Sequence, residues 1–281
     1  MRHLTYRIVN VFTRGGRLTG NPLCVFEDGT GLDTATMQAL ARQFNLSETT
    51  FILPSERATA RVRIFTPAYE MPFAGHPTLG TAHVVRALKG AGDTLTLEMK
   101  AGVIPVDAQG DRWTLTANPP TWREVQEPRA TLAAMLGLAE ADLAERPLWV
   151  QAGKEQLIVP VRTVEAVRRA RPVPEAFTRL ASVDGQSMAY VFADEGDGKA
   201  SVVSRFFFPS GPAILEDPAT GSACANLGGW FCAMRPGAEV TRTVSQGDEV
   251  ARPSTLFLGV AGGAITVGGV VAELGRGTVS L

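Results

Sequence analysis

The phrase FAGHPTLGTA at residues 73–82 returns in altered form as LEDPATGSA at residues 215–223. Each copy follows an Arg-x-Phe-x-Pro run, one beginning at Arg63 and the other at Arg205. The interval from Arg63 to His76 is 13 residues and that from Arg205 to Asp217 is 12. A fainter echo sets TGNPLCVF (19–26) against AGKEQLIV (152–159). Self-similarity at so long a period excludes a solenoid of short repeats and points to two related α/β halves. For the fainter echo, the general preference of strand–loop–helix junctions for Pro and Gly is an equally good explanation.

Local patterns fill in each half. YRIVNVF (6–12), NPLCVFED (21–28), TTFILP (49–54) and RVRIFT (61–66) read as strands. Residues 33–44 read as a helix, with Asp33 as N-cap and Met37, Leu40, Ala41 and Phe44 along one face. GHPTLGTAHVVRALKG (75–90) reads as a second helix, with Pro77 at its first position and Gly90 at its end. Strands follow at 94–99, 102–107 and 112–117. NPPTWREVQEPRA (118–130) breaks the periodicity and reads as an inter-domain linker, dividing the chain into 1–118 and 130–270. Beyond it come two short helical stretches, the strand pattern LWVQAGKEQLIVPV, a helix near 174–182 and strands near 188–193 and 201–208. DPATGSACANLGGWFCAM reads as a helix capped by Asp217 with Pro218 at its first position, and TLFLGV, AITVGGVVAEL and GTVSL read as three closing strands.

The repeated phrases each end a strand and open a helix. The first N–H groups of a helix lack internal partners, and the helix dipole is positive there, so such an end suits an anion. Two such ends around one ligand would grip a small anionic metabolite, with His76 and Asp217 in matching positions. A base and an acid beside one ligand are what proton transfer needs. Glu48, in NLSETTF, is a third candidate, because a carboxylate set against an apolar strand is desolvated and becomes a better proton acceptor. Each residue also has a plainer reading. Glu48 could be a surface turn residue, His76 a backbone-bonded histidine, Asp217 a helix cap only and Ser222 a small packing residue. Glu70 is a rival carboxylate beside the first phrase, and His3 and His83 read as surface or packing residues.

Totals exclude several function classes. There are 27 basic and 28 acidic residues, for a net charge of −1, which disfavours nucleic acid or an anionic membrane as partner. No apolar run approaches the ~20 residues that span a bilayer, and the alternating N-terminus is unlike a signal peptide, so a cytoplasmic location is expected. The three cysteines, Cys24, Cys224 and Cys232, form no CxxC pair, and three histidines without HExxH give no metal site. Neither a Walker A sequence nor GxGxxG occurs, so no nucleotide cofactor is expected.

GNP at 20–22, FNLSET at 44–49, RIFTP…EMPFAGHPTLGTA at 63–82, EDPATGSA at 216–223 and ARPS at 251–254 occur in one order along nearly the whole chain. Together they resemble the phenazine-biosynthesis PhzF-like isomerase family of the diaminopimelate epimerase-like superfold. The resemblance implies an α+β fold of two pseudo-symmetric domains, each a mixed, mostly antiparallel curled sheet around a central helix. It implies an active site in the cleft between them, a homodimer, and a last strand (271–281) that can cross back to the first domain. It implies cofactor-free isomerisation of a small carboxylate-bearing metabolite, with Glu48 shuttling the proton and His76 and Asp217 assisting. Gly20, Asn21, Gly75, Gly221 and Ser222 would line the substrate. Ala251 stands where the family more often has glycine. Epimerases of the superfold use two cysteines in the equivalent loops, and those loops here carry none. A non-catalytic small-molecule binder and an amino-acid epimerase remain the alternative readings.

Overall fold

The structure is a computed structural model that describes residues 1–196 and 201–281. It is a sheet-rich, mixed α/β fold in two compact units, one of residues 1–116 with 268–281 and one of residues 117–267. Among the described residues, no helix is long and apolar enough to cross a membrane.

The first unit contains β1 (His3–Val11), β2 (Asn21–Phe26), α1 (Thr34–Phe44), β3 (Glu48–Leu53), β4 (Ala60–Phe65) and β5 (Glu70–Met71). It continues with α2 (Gly75–Lys89), β6 (Thr94–Met99), β7 (Gly102–Gln109) and β8 (Arg112–Thr116). β1 pairs antiparallel with β2; β2 runs parallel to β3; β3 is antiparallel to β4. β4 is antiparallel to the two-residue β5 and parallel to β6, and β6, β7 and β8 form a meander. α1 follows the capping logic of its sequence. The Asp33 side chain accepts from the Thr36 amide at 2.8 Å, and Asn45 ends the helix in the left-handed region at φ 52°. Its apolar face, Met37, Leu40 and Ala41, packs on Phe26, Phe51 and Phe65. α2 is different in kind. Apolar or small residues surround it, and Thr78, Leu79, Gly80, Thr81, Ala82, Val84 and Val85 are all buried against the strands. Its N-terminal two-thirds is almost wholly buried, and only the last turn, Ala87–Lys89, is exposed.

The second unit contains β9 (Thr121–Glu124), α3 (Arg129–Met135), β10 (Leu148–Gln151), β11 (Glu155–Pro160), α4 (Val164–Arg169) and α5 (Pro174–Leu180). Then come β12 (Ser182–Val183), β13 (Gln186–Ser187), β14 (Ala189–Asp194), β15 (Ser201–Ser210) and β16 (Ala213–Asp217). α6 (Gly221–Met234), β17 (Val240–Gln246), β18 (Ser254–Ala261) and β19 (Ala264–Ser280) complete the chain. β10 is antiparallel to β9 and β11; β11 runs parallel to β14; β14 is antiparallel to β15. β15 is antiparallel to β16 and parallel to β17, which pairs antiparallel with β18. α6 is buried from Gly221 through Phe231 apart from Ser222. A core of Leu132, Trp149, Leu157, Val167, Phe177 and Val191 lies under α3, α4 and α5.

The proline-rich stretch 118–130 follows the division between the two units at 116/117 and carries β9, which is paired with β10. Two sequence readings are corrected here. The strands read separately in AITVGGVVAEL and GTVSL are one 17-residue strand, β19. Its C-terminal part belongs to the first unit, where it pairs with β1 from Val11↔Val271 to His3↔Ser280 around a register shift between Ile8 and Val9. Asp217 does not cap α6. It is the last residue of β16, opposite Phe206, and Thr220 is the N-cap.

Candidate active site

In the first unit, the turn after α1 leads directly into β3, so Glu48 is the first residue of that strand, in register with Leu23 of β2. His76 is the second residue of α2. These two elements bring Glu48 Oε2 to 3.3 Å from His76 Nε2, with 16% and 8% of the respective side chains exposed. Burial pushes the His76 imidazolium down to about 3, against the opposing pull of a ring hydrogen bond to the backbone of Pro22. Proline has only a carbonyl to offer, so the ring donates. Nε2 makes no hydrogen bond, so the donor is Nδ1 and the neutral ring carries its lone pair on Nε2, beside Glu48.

That tautomer decides what the pair can do. With Glu48 ionised, two lone pairs meet at 3.3 Å. Neither of these two atoms makes a hydrogen bond in this geometry. The site therefore sets a carboxylate beside a buried, neutral imidazole nitrogen.

The neighbouring residues hold this geometry. Gly20 has φ +78°, and a Cβ there would lie 2.4 Å from the Val11 carbonyl oxygen, so only glycine fits the turn into Asn21. Asn21 is fully buried at the start of β2, and its Oδ1 lies 3.5 Å from the Ser47 hydroxyl, next to Glu48. Gly75 opens α2 immediately before His76.

Asp217, Gly221 and Ser222 belong to the second unit. Asp217 Oδ2 accepts from the Thr220 hydroxyl at 2.5 Å. Gly221 opens α6, and Ser222 Oγ accepts from Gln156 Nε2 at 3.2 Å. Gln156 Oε1 in turn accepts from Asn226 Nδ2 at 2.8 Å, and Asn226 also holds the Ala152 amide and the Lys154 carbonyl, so the first turn of α6 is pinned by a buried amide network.

The phrase alignment that sets His76 level with Asp217 does not survive in the elements. His76 stands second in α2, whereas the second residue of α6 is Ser222, and Asp217 lies ahead of the helix. The Arg-x-Phe part of the echo has a clear structural meaning in each unit. Arg63 grips Glu70 through two parallel bonds of 2.7 and 2.8 Å and lies 5.0 Å over Phe65. Arg205 grips Glu216 Oε2 at 2.9 and 2.6 Å, lies 4.7 Å over Phe207 and also donates to the Ala170 carbonyl at 2.7 Å. Glu70, the rival carboxylate, is thus a structural partner. Arg63 first, and then Lys100, hold its carboxyl below the usual range. His83 is a packing residue that accepts from Trp113 Nε1 at 3.3 Å.

Sequence reading missed Thr220 and Gln246, which surround Asp217. Their signal was weak: a threonine inside DPATGS and a glutamine 29 residues away. Thiol chemistry has little support. Cys24 and Cys224 are buried, and burial pushes both thiols well above their ordinary value.

Residues 9–270 match the family described as PhzC-PhzF, phenazine biosynthesis-like protein. A Pasteurella multocida protein named as an uncharacterized isomerase is 37% identical over 276 residues, 97% of this chain and 92% of that protein. The trans-2,3-dihydro-3-hydroxyanthranilate isomerase of Pseudomonas aeruginosa is 34% identical over 262 residues, 90% of this chain and 88% of its own. The crystal structure of a PhzF-family phenazine biosynthesis protein from Bacillus anthracis superposes with a TM-score of 0.88 at 26% identity, covering 100% of both chains.

Proposed function

Because the chain belongs to the PhzC-PhzF phenazine biosynthesis-like family and is an isomerase, we propose that it moves a proton between two carbons of a small carboxylate-bearing metabolite, using its own side chains and no cofactor. Glu48 takes the proton from an acidic carbon and returns it to another, while His76 holds it on the carboxyl oxygen in between. Asp217 orients the substrate, and the first N–H groups of α6 hold its carboxylate. The observation that carries the reading is the 3.3 Å approach of Glu48 Oε2 to a buried, neutral His76. A base poised in this way accepts a proton without building up a buried charge pair, and general acid–base catalysis of this kind supplies about 10²–10⁴-fold.

The pseudo-symmetric two-domain arrangement is part of the same proposal. It is supported by one order of strand pairing in each unit: antiparallel, parallel, antiparallel, then a strand shared between an antiparallel and a parallel neighbour. The relative's substrate, trans-2,3-dihydro-3-hydroxyanthranilate, has the required carboxylate and is the first compound to try.

The experiment is isomerisation in D2O followed by NMR. The unaltered chain incorporates solvent deuterium at the carbon that receives the proton. Glu48→Gln keeps ligand binding, measured by calorimetry, and slows incorporation by about 10²-fold or more. Incorporation at an unchanged rate in Glu48→Gln would falsify the role given to Glu48.

A further inference from the structure

Gln246, the last residue of β17, is buried to within 1% of complete exclusion from solvent and carries no charge. Its amide makes three contacts with the segment that carries Asp217. Nε2 donates to the Asp217 carbonyl at 2.8 Å and to Thr220 Oγ1 at 3.0 Å, and Oε1 accepts from the Thr220 amide at 3.3 Å. The orientation of this amide is forced by its partners. A backbone carbonyl can only accept and a backbone N–H can only donate, so the nitrogen must face Asp217 and the oxygen must face Thr220 N. Thr220 Oγ1 therefore receives a hydrogen from Gln246, and its own hydrogen is directed to Asp217 Oδ2, 2.5 Å away. The direction of donation is fixed along the whole line, from amide to hydroxyl to carboxylate.

The backbone below the segment is equally constrained. Gly247 has φ +82°, and a Cβ there would lie 2.4 Å from both the Pro218 and the Arg252 carbonyl oxygens. The chain after Gln246 thus passes directly beneath the 217–220 loop, and the glutamine side chain is the strut between them.

We infer that Gln246 is a positioning residue for the reaction: through Thr220 it fixes the rotamer of Asp217 and commits one carboxylate oxygen to acting as an acceptor. The inference rests on the reading above that Asp217 orients the substrate. It divides the labour between the two acids. Glu48 cycles between protonated and ionised forms, whereas Asp217 keeps one orientation and one role throughout.

Four variants test it: Thr220→Val, Thr220→Ser, Gln246→Met and the double Thr220→Val/Gln246→Met, each checked for folding by circular dichroism. With trans-2,3-dihydro-3-hydroxyanthranilate as probe, each of Thr220→Val and Gln246→Met lowers kcat roughly 10–100-fold, the size seen when an outer partner of a reacting group is removed. KM changes far less, Thr220→Ser restores the rate, and the double variant is no slower than the worse single one. A substrate-free measurement runs alongside. The hydroxyl proton of Thr220 exchanges slowly with solvent by NMR, is absent in Thr220→Val and moves in Gln246→Met. An unchanged kcat in Thr220→Val, losses that multiply in the double variant, or a hydroxyl proton indifferent to Gln246→Met would each overturn the inference. Asp217→Asn separates the two ideas: if it turns over at the unaltered rate, the role of Asp217 itself is wrong, whatever the strut does.

Discussion

The neutrality of His76 gives the sharpest physical prediction. Its imidazolium is pushed from an ordinary 6.5 to about 3 by burial, and the Pro22 hydrogen bond recovers only part of that. As the pH falls below 6.5, an unfolded chain takes a proton on this ring, whereas the folded chain does not until near pH 3. The contribution of His76 to stability is therefore complete above the unfolded value and is lost progressively as the pH falls toward the folded one. One proton bound in the unfolded state and not in the native state costs about 1.4 kcal/mol per pH unit, or 2.303RT. Urea unfolding of Glu48→Gln and of Glu48→Gln/His76→Gln at pH 6.5, 5.5 and 4.5 isolates the term, because the carboxylate beside the ring is then gone and those elsewhere titrate alike in both. The stability difference between the two proteins narrows by about 1.4 kcal/mol between pH 5.5 and 4.5. Parallel stability curves across that range would show that the ring is charged in the fold, and the shared-proton chemistry given to Glu48 would fall with it.

Two further outcomes follow from the ion pairs and backbone. Glu216→Ala leaves the Arg205 guanidinium, only 8% exposed, without its carboxylate, and lowers unfolding free energy by about 3 kcal/mol. Arg205→Met with Glu216→Leu recovers most of that loss in urea melts, and a double variant as unstable as the single one contradicts the account. Ala251 sits at φ 55°, in the left-handed region, on an exposed turn, so Ala251→Gly raises stability by up to about 1 kcal/mol. A lower melting temperature in that variant would show that the turn is not strained.

Local chemistry was legible wherever a residue's partner lies within a turn or two. Asp33 caps α1 by bonding a backbone N–H three residues on, and Gly90 ends α2 in the left-handed region. The same logic failed at Asp217. Asp-Pro ahead of a helix is a good capping signal, yet the backbone there completes β16 against Phe206 and the side chain is claimed by Thr220. In β19 the sequence reads a break at residues 275–276, between two strands, but the final stretch is held extended by pairing with β1 at the other end of the chain. The family resemblance marked 251 as a position more often filled by glycine, while its reason, a positive φ, lay only in the fold.

By itself, then, the order of residues determined most strand and helix types, the motifs and three candidate groups for handling a proton. These depend on period, propensity and side-chain chemistry, all of which are properties of short segments. Only the fold decided which nitrogen of His76 faces Glu48 and that Arg63 takes Glu70 out of contention. Only the fold, again, set a glutamine from β17 beneath Asp217. Each of these is a choice between competing hydrogen-bond partners brought near by burial, and no local pattern encodes the partner that a desolvated group finds when water is gone.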